Sequence, residues 1–159
     1  MFENIPGGPQ GGGRAPLNLD TPRAKAHAAR MFMTTLHVAA GGAIGAALRF
    51  LMGVCVLKAT ATTNGSGFPL AVISVNILGS FAMGLFVVFA AKTSNTHLNP
   101  FVMTGILGGF TTFSAFSLEA YTLFERGQTA AAATYVGASV VLSIAGLVAG
   151  IAIARGIWA

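Results

Sequence analysis

Polar and apolar residues alternate along this chain in whole segments rather than in single positions. Four apolar runs, at about Thr34–Leu57, Pro69–Ala91, Pro100–Phe124 and Thr129–Ala154, are separated by short polar stretches such as KATATTNGSGF at Lys58–Phe68. A bilayer core about 30 Å thick is crossed by about 20 helical residues, so each run predicts a transmembrane helix. Pro100 fits the first turn of the third helix, where its missing N–H is no loss. The first thirty residues are rich in Gly, Pro and Ala, contain GGPQGGG and show no sustained apolar period. They are expected to be disordered. They do not read as a secretory signal, because their basic stretch leads into a full-length span with no convincing cleavage site.

The third run departs from the pattern of a plain membrane helix. At Thr104–Glu119 it reads TGILGGFTTFSAFSLE. Gly105, Gly108 and Gly109 each cost roughly 1 kcal/mol relative to Ala in a helix interior, which predicts a break near Gly108–Thr112. Thr111 and Thr112 come next, with hydroxyls that can satisfy freed carbonyls or donate to a ligand. Broken backbone at membrane depth is tolerated only where protein buries it or a wet cavity receives it, so an ion site is expected here. Phe113 and Phe116 stand three apart and share one helical face, with Ser114 and Ser117 beside them. An aromatic ring edge is partly positive, and it can face an anion where a full charge would hold it too tightly.

Composition narrows the class. The chain is 54% hydrophobic and 8% charged, with a mean hydropathy of +0.74, as in an all-α integral membrane protein. Four spans of about 20 residues use most of the chain beyond the tail, leaving no room for a soluble domain. The net charge of +5 comes from scattered residues flanking the spans and is read as topology-setting charge, not as a nucleic-acid surface. Cys55 lies in an apolar run and reads as packing. His27, His37 and His97 have no metal-ligand spacing. No nucleophile, base and orienting acid stand together, so no enzyme is expected.

A few polar residues inside the spans hold the candidate chemistry. Arg49 lies in the first span, past a Gly41, Gly42, Gly45 face that would admit a close helix neighbour. It either snorkels to headgroups or serves as a fixed cation attracting anions into a vestibule. Asn76 in the second span, with Ser80 one turn on, is either an interhelical hydrogen bond or an amide donor to a dehydrating anion. Gly79 and Gly84 read as packing positions. Glu119 in the third span is either structural or a group at a pore mouth. In the fourth span Tyr135, Ser139 and Ser143 recur every four residues as a polar stripe, and Gly146 and Gly150 form a close-packing face.

The block GGFTTFSAF resembles the third-helix signature GGxTTFSTF of the Fluc (CrcB) fluoride channels, with Ala115 where Thr is common. GGAIGAALRF at Gly41–Phe50 and NILGSFAMG at Asn76–Gly84 agree with it, in order and in separate helices. The resemblance covers about Met31 to Ala159. It implies a passive, fluoride-selective channel in the plasma membrane, the bacterial inner membrane, which lets cytoplasmic fluoride leave and so lowers its toxicity. It also implies an antiparallel dual-topology homodimer with two pores. The fluoride path would include Asn76, Thr112, Phe113, Ser114, Phe116, Tyr135, Ser139 and Ser143, with Arg49 and Glu119 toward its ends. A structural Na+ would sit on the two-fold axis, held by backbone carbonyls of Gly108 and Thr111. The competing reading is a small proton-coupled exporter of the small multidrug-resistance type. That mechanism needs a carboxylate deep in the first helix, where this chain has Arg49 and no acid.

Charge distribution then poses a conflict. Four spans place both termini on one side, so Arg14, Arg23, Lys25, Arg30, Lys92 and Arg155 oppose Lys58 and Arg126. That imbalance should fix one orientation. Translation from Met31 or Met33 leaves Lys92 and Arg155 against Lys58 and Arg126, the balance that dual topology requires.

Overall fold

The computed structural model describes residues 21–60 and 67–158, and these fall into two units, residues 1–32 and 33–159. Among the described residues, four helical segments are long and apolar enough to cross a membrane: Pro22–Thr60, Leu70–Lys92, Thr96–Glu125 and Thr129–Ile157. The chain is thus an all-helical, multi-pass integral membrane protein. Helix α1 is Pro22–Thr60, α2 is Leu70–Lys92, and a short 3-10 turn at Thr96–Leu98 leads into the third segment. There, α3 covers residues 100–110, α4 covers Phe113–Glu125, and the chain ends in α5, Thr129–Ile157.

The beginning of α1 corrects an expectation. Of the thirty residues expected to be disordered, the first twenty lie outside the described residues, but Pro22–Arg30 is helical. The start signal is local. Thr21 Oγ1 accepts a hydrogen bond from the Ala24 N–H at 3.2 Å, Pro22 occupies the first turn, and the next residues are rich in Ala, Lys and Arg, all good helix formers.

Within residues 33–159 the helices meet through glycines. A Cβ on Gly41 would collide with the Phe101 carbonyl, and one on Gly45 with the Ile106 carbonyl. The returning positions are as tight: a Cβ on Gly105 would lie 2.8 Å from Gly41 Cα, and one on Gly109 2.7 Å from the Gly42 carbonyl. With no hydrophobic effect between helices in lipid, such backbone proximity is the source of their attraction. The second contact joins α2 to α5. Here a Cβ on Gly84 would meet the Leu147 carbonyl, one on Gly150 the Phe81 carbonyl, and one on Gly146 would lie 3.1 Å from the Ile77 carbonyl. Of the close-packing faces expected at Gly41, Gly42 and Gly45, at Gly79 and Gly84, and at Gly146 and Gly150, all are in use except at Gly42, where an added Cβ would meet nothing within 4 Å.

A small core at one end ties α4 to α2 and α5. Ile73, Leu123, Ala132 and Tyr135 are buried, with Phe68 and Phe116 packed against them. The Tyr135 ring is wholly enclosed, stacked on Phe116 at 5.4 Å and met edge-on by Phe68 at 5.9 Å.

The third segment is broken, but not by its glycines. Pro100–Leu107 is wound as a π-helix, a feature that no residue pattern announces, and Gly108–Phe110 continues it as one α turn. Only Thr111 and Thr112 leave the helix, with extended ψ values of 157° and 122°. Gly105, Gly108 and Gly109 remain helical. Gly105 and Gly109 are there for the approach of α1, and the change of direction falls to the two threonines.

Candidate functional site: the break and its groove

Two extended residues interrupt the backbone ladder, and three side chains repair it. Asn76, on the half-buried face of α2, lies opposite the break. Its Nδ2 donates to the Thr112 carbonyl at 3.2 Å, and the Thr112 N–H donates to Asn76 Oδ1 at 2.9 Å. The side-chain amide thereby does for Thr112 what a neighbouring peptide group would do. Thr112 in turn caps α4, its Oγ1 accepting from the Ala115 N–H at 3.2 Å and lying 3.2 Å from Ser114 Oγ. Thr111 Oγ1 donates back to the Leu107 carbonyl at 3.0 Å, and its methyl fills the place where a Cβ on Gly79 would stand.

These repairs divert two amide donors. In an unbroken helix the Thr112 N–H would serve the Gly108 carbonyl, and the Ala115 N–H the Thr111 carbonyl. Here they serve Asn76 and the Thr112 hydroxyl instead. The break therefore sets the carbonyl-bearing, negative end of α3 beside the amide-bearing, positive start of α4, two poles separated by two residues.

Beside the break lies a groove of about 410 Å³, open on one side. Its polar lining comes from Asn76, Ser80, Thr111, Thr112, Ser139 and Ser143, its aromatic lining from Phe113 and Phe116, and Met83, Val140, Ile144 and Leu147 make its apolar floor. The two phenyl rings meet at 5.3 Å with a 46° tilt. Phe116 is half-buried, whereas Phe113 is 78% exposed on the open side. Ser139 is buried, and its Oγ has no protein hydrogen-bond partner; the same holds for Tyr135 Oη behind it. Asn76 keeps a second N–H beyond the one given to Thr112.

A row of neutral donors, of which Ser139 is buried and the rest half-buried, beside two phenyl rings at a helix break, is the arrangement carried by the GGFTTFSAF and NILGSFAMG blocks. Comparison with known proteins agrees. The profile of the family described as CrcB-like protein, Camphor Resistance (CrcB), matches residues 36–151. This chain belongs to the CrcB family. A relative from Ruegeria sp. (strain TM1040), named Fluoride-specific ion channel FluC, is 62% identical over 127 residues, covering 80% of this chain and 98% of that protein. Proteins of the same name from Roseobacter denitrificans and Cereibacter sphaeroides are 60% and 53% identical, over 76% and 79% of this chain and 94% and 98% of their own length.

The fold brings most of the CrcB-type candidates into one place. Asn76, Thr112, Phe113, Phe116, Ser139 and Ser143 all line the groove, and Ser114 touches it through Thr112. Tyr135 stands behind the wall, one stacked ring away at Phe116. Thr111 is in the lining, while Gly108 lies one turn back along α3. Arg49 and Glu119 are elsewhere. Arg49 is half-buried on α1 outside the groove lining, and Glu119 lines a separate cavity with Leu57, Thr60 and Phe68. Sequence reasoning missed the apolar floor, because Met83 and Leu147 resemble any lipid-facing residue. It also left the Asn76 partner unnamed, since nothing in a sequence pairs positions 36 apart.

Proposed function

We propose that this chain is a fluoride-selective channel through which cytoplasmic fluoride leaves the cell passively, lowering its toxicity. The observation that carries the reading is the groove at the break, in a chain 62% identical to a protein named as a fluoride-specific ion channel. Fluoride is small and strongly hydrated, so a path for it must replace water hydrogen bonds as it removes them. Asn76, Thr112, Ser139 and Ser143 offer neutral donors, and the ring edges of Phe113 and Phe116 add weak positive potential. Neutral donors bind loosely enough to let the ion go. The first helix lacks the carboxylate a proton-coupled exporter would need, and Glu119, the acid inside the third span, lies outside this groove.

The working unit in this reading is an antiparallel homodimer. Its support is the open side of the groove, where Phe113 stands 78% exposed, a surface suited to a second copy. A structural Na+ fits the two diverted carbonyls at Gly108 and Thr111, since oxygen ligands suit a hard cation and the negative end of α3 favours one. On the dimer axis the same pair from each copy would complete the set. Arg49 and Glu119 are assigned to the ends of the path, and Tyr135 to the polar wall behind it.

Purified protein in liposomes tests the function directly. A fluoride electrode should record rapid efflux once charge compensation is supplied, and a chloride electrode none. Chloride efflux at a comparable rate would overturn the selectivity. Orientation is tested by accessibility labelling of a tag after Ala159. A chain starting at Met31, whose flanking charges balance, should show the tag on both sides, and a single orientation with undiminished flux would contradict the antiparallel dimer.

A further inference from the structure

Upstream of the family match, which begins at residue 36, the described helix from Pro22 carries Arg23, Lys25, His27 and Arg30, all exposed. Arg23, His27 and Arg30 recur at i, i+4 and i+7 and so form one stripe on the helix, with Lys25 on another side. Between them lie alanines. We propose that this basic helical segment, residues 22–30, is a docking surface for the anionic phospholipid headgroups of the leaflet nearest the N-terminus.

Chain connectivity argues for it. Arg30 is four residues from Thr34, where the apolar span begins, and four residues reach at most about 14 Å even when fully extended. Arg30 therefore stays at the headgroup layer however the intervening chain runs. Arg23 and Lys25 lie within about 11 Å of it along the helix axis, a distance comparable with the Debye length at physiological salt. Each Lys or Arg held this close to an anionic surface contributes about a fivefold preference for that surface. Three such residues, joined covalently to a membrane span, need no further affinity to remain there.

The test uses the full chain with Cys55→Ser, which removes the one cysteine, and Ala26→Cys carrying a spin label, reconstituted into nanodiscs. Accessibility to a water-soluble nickel chelate is compared with accessibility to oxygen. In discs containing phosphatidylglycerol the label should be several-fold less open to nickel than in pure phosphatidylcholine, and high salt should reverse the difference. The triple substitution R23Q/K25Q/R30Q should make the two lipids equivalent. Equal accessibility of the unsubstituted segment in both lipids would overturn the proposal, as would a lipid dependence that survives the triple substitution. The readout is independent of fluoride flux, and circular dichroism of each variant confirms that the helices are intact.

Discussion

The two halves of the third membrane segment solve opposite problems with neighbouring residues. Upstream, α3 gives up side chains: Gly105 and Gly109 let its backbone rest against Gly41, Gly42 and Gly45 of α1. Downstream, α4 relies on side chains, with Thr112 capping its start and Asn76 of α2 bridging the gap. The glycines create contact and the threonines create the opening. The upstream half is held by backbone packing, while the other half presents its hydroxyls and rings to a groove. The two halves should consequently fail in different ways when altered.

The largest effect belongs to the upstream half. Gly45→Val puts branched carbon where the Ile106 carbonyl and Phe110 amide now lie, with no flexible side chain able to yield. A loss of about 3 kcal/mol or more is expected from such overpacking, seen as loss of folded protein by size-exclusion chromatography and a collapsed melting temperature. A well-folded Gly45→Val protein would mean that α1 does not sit on α3 as described.

In the downstream half, function should be lost before fold. Asn76→Asp retains an acceptor for the Thr112 N–H but removes the donor to its carbonyl and places a negative charge in the groove. The lost hydrogen bond costs about 1–3 kcal/mol, while repulsion of an anion in a low-dielectric site is larger. Fluoride efflux should fall to background in a protein that still purifies as the wild type does. Retained efflux would remove Asn76 from the path.

How much of this could be read from the chain differs between the same two halves. The spans were legible because about 20 consecutive apolar residues have few other uses, and the break was placed correctly within Gly108–Thr112. Its cause was misassigned. Glycine's low helix propensity pointed to the glycines, yet propensity is overridden where a missing side chain is the condition for close packing. The helical start at Pro22 was hidden by the Gly- and Pro-rich residues before it, although Thr21 and Pro22 form a recognisable start signal. Ser139 was visible as part of a stripe of hydroxyls. That its oxygen is buried without a protein partner depends on how α2 and α5 meet, which periodicity alone does not specify.

The smallest effect sharpens the contrast by using a glycine that packs nothing. A Cβ added at Gly53 of α1 meets no atom within 4 Å. Gly53→Ala should therefore stabilise the helix by about 0.5–1 kcal/mol and leave efflux unchanged, as a modest rise in melting temperature would show. Destabilisation would reveal a close neighbour at Gly53, outside the α1–α3 contact.

The central claim, that the groove at the break carries fluoride, rests most directly on Phe113. Its ring lines the groove yet is 78% exposed, so replacing it does little to the packing of the chain. The decisive measurement is the initial rate of fluoride efflux, by electrode, from liposomes bearing Phe113→Ile at the wild-type protein-to-lipid ratio. Isoleucine keeps the apolar bulk and removes the electropositive ring edge, and efflux should fall at least tenfold, the effect of losing about 1.4 kcal/mol of stabilisation at the narrowest step. Wild-type efflux from folded Phe113→Ile would contradict the account.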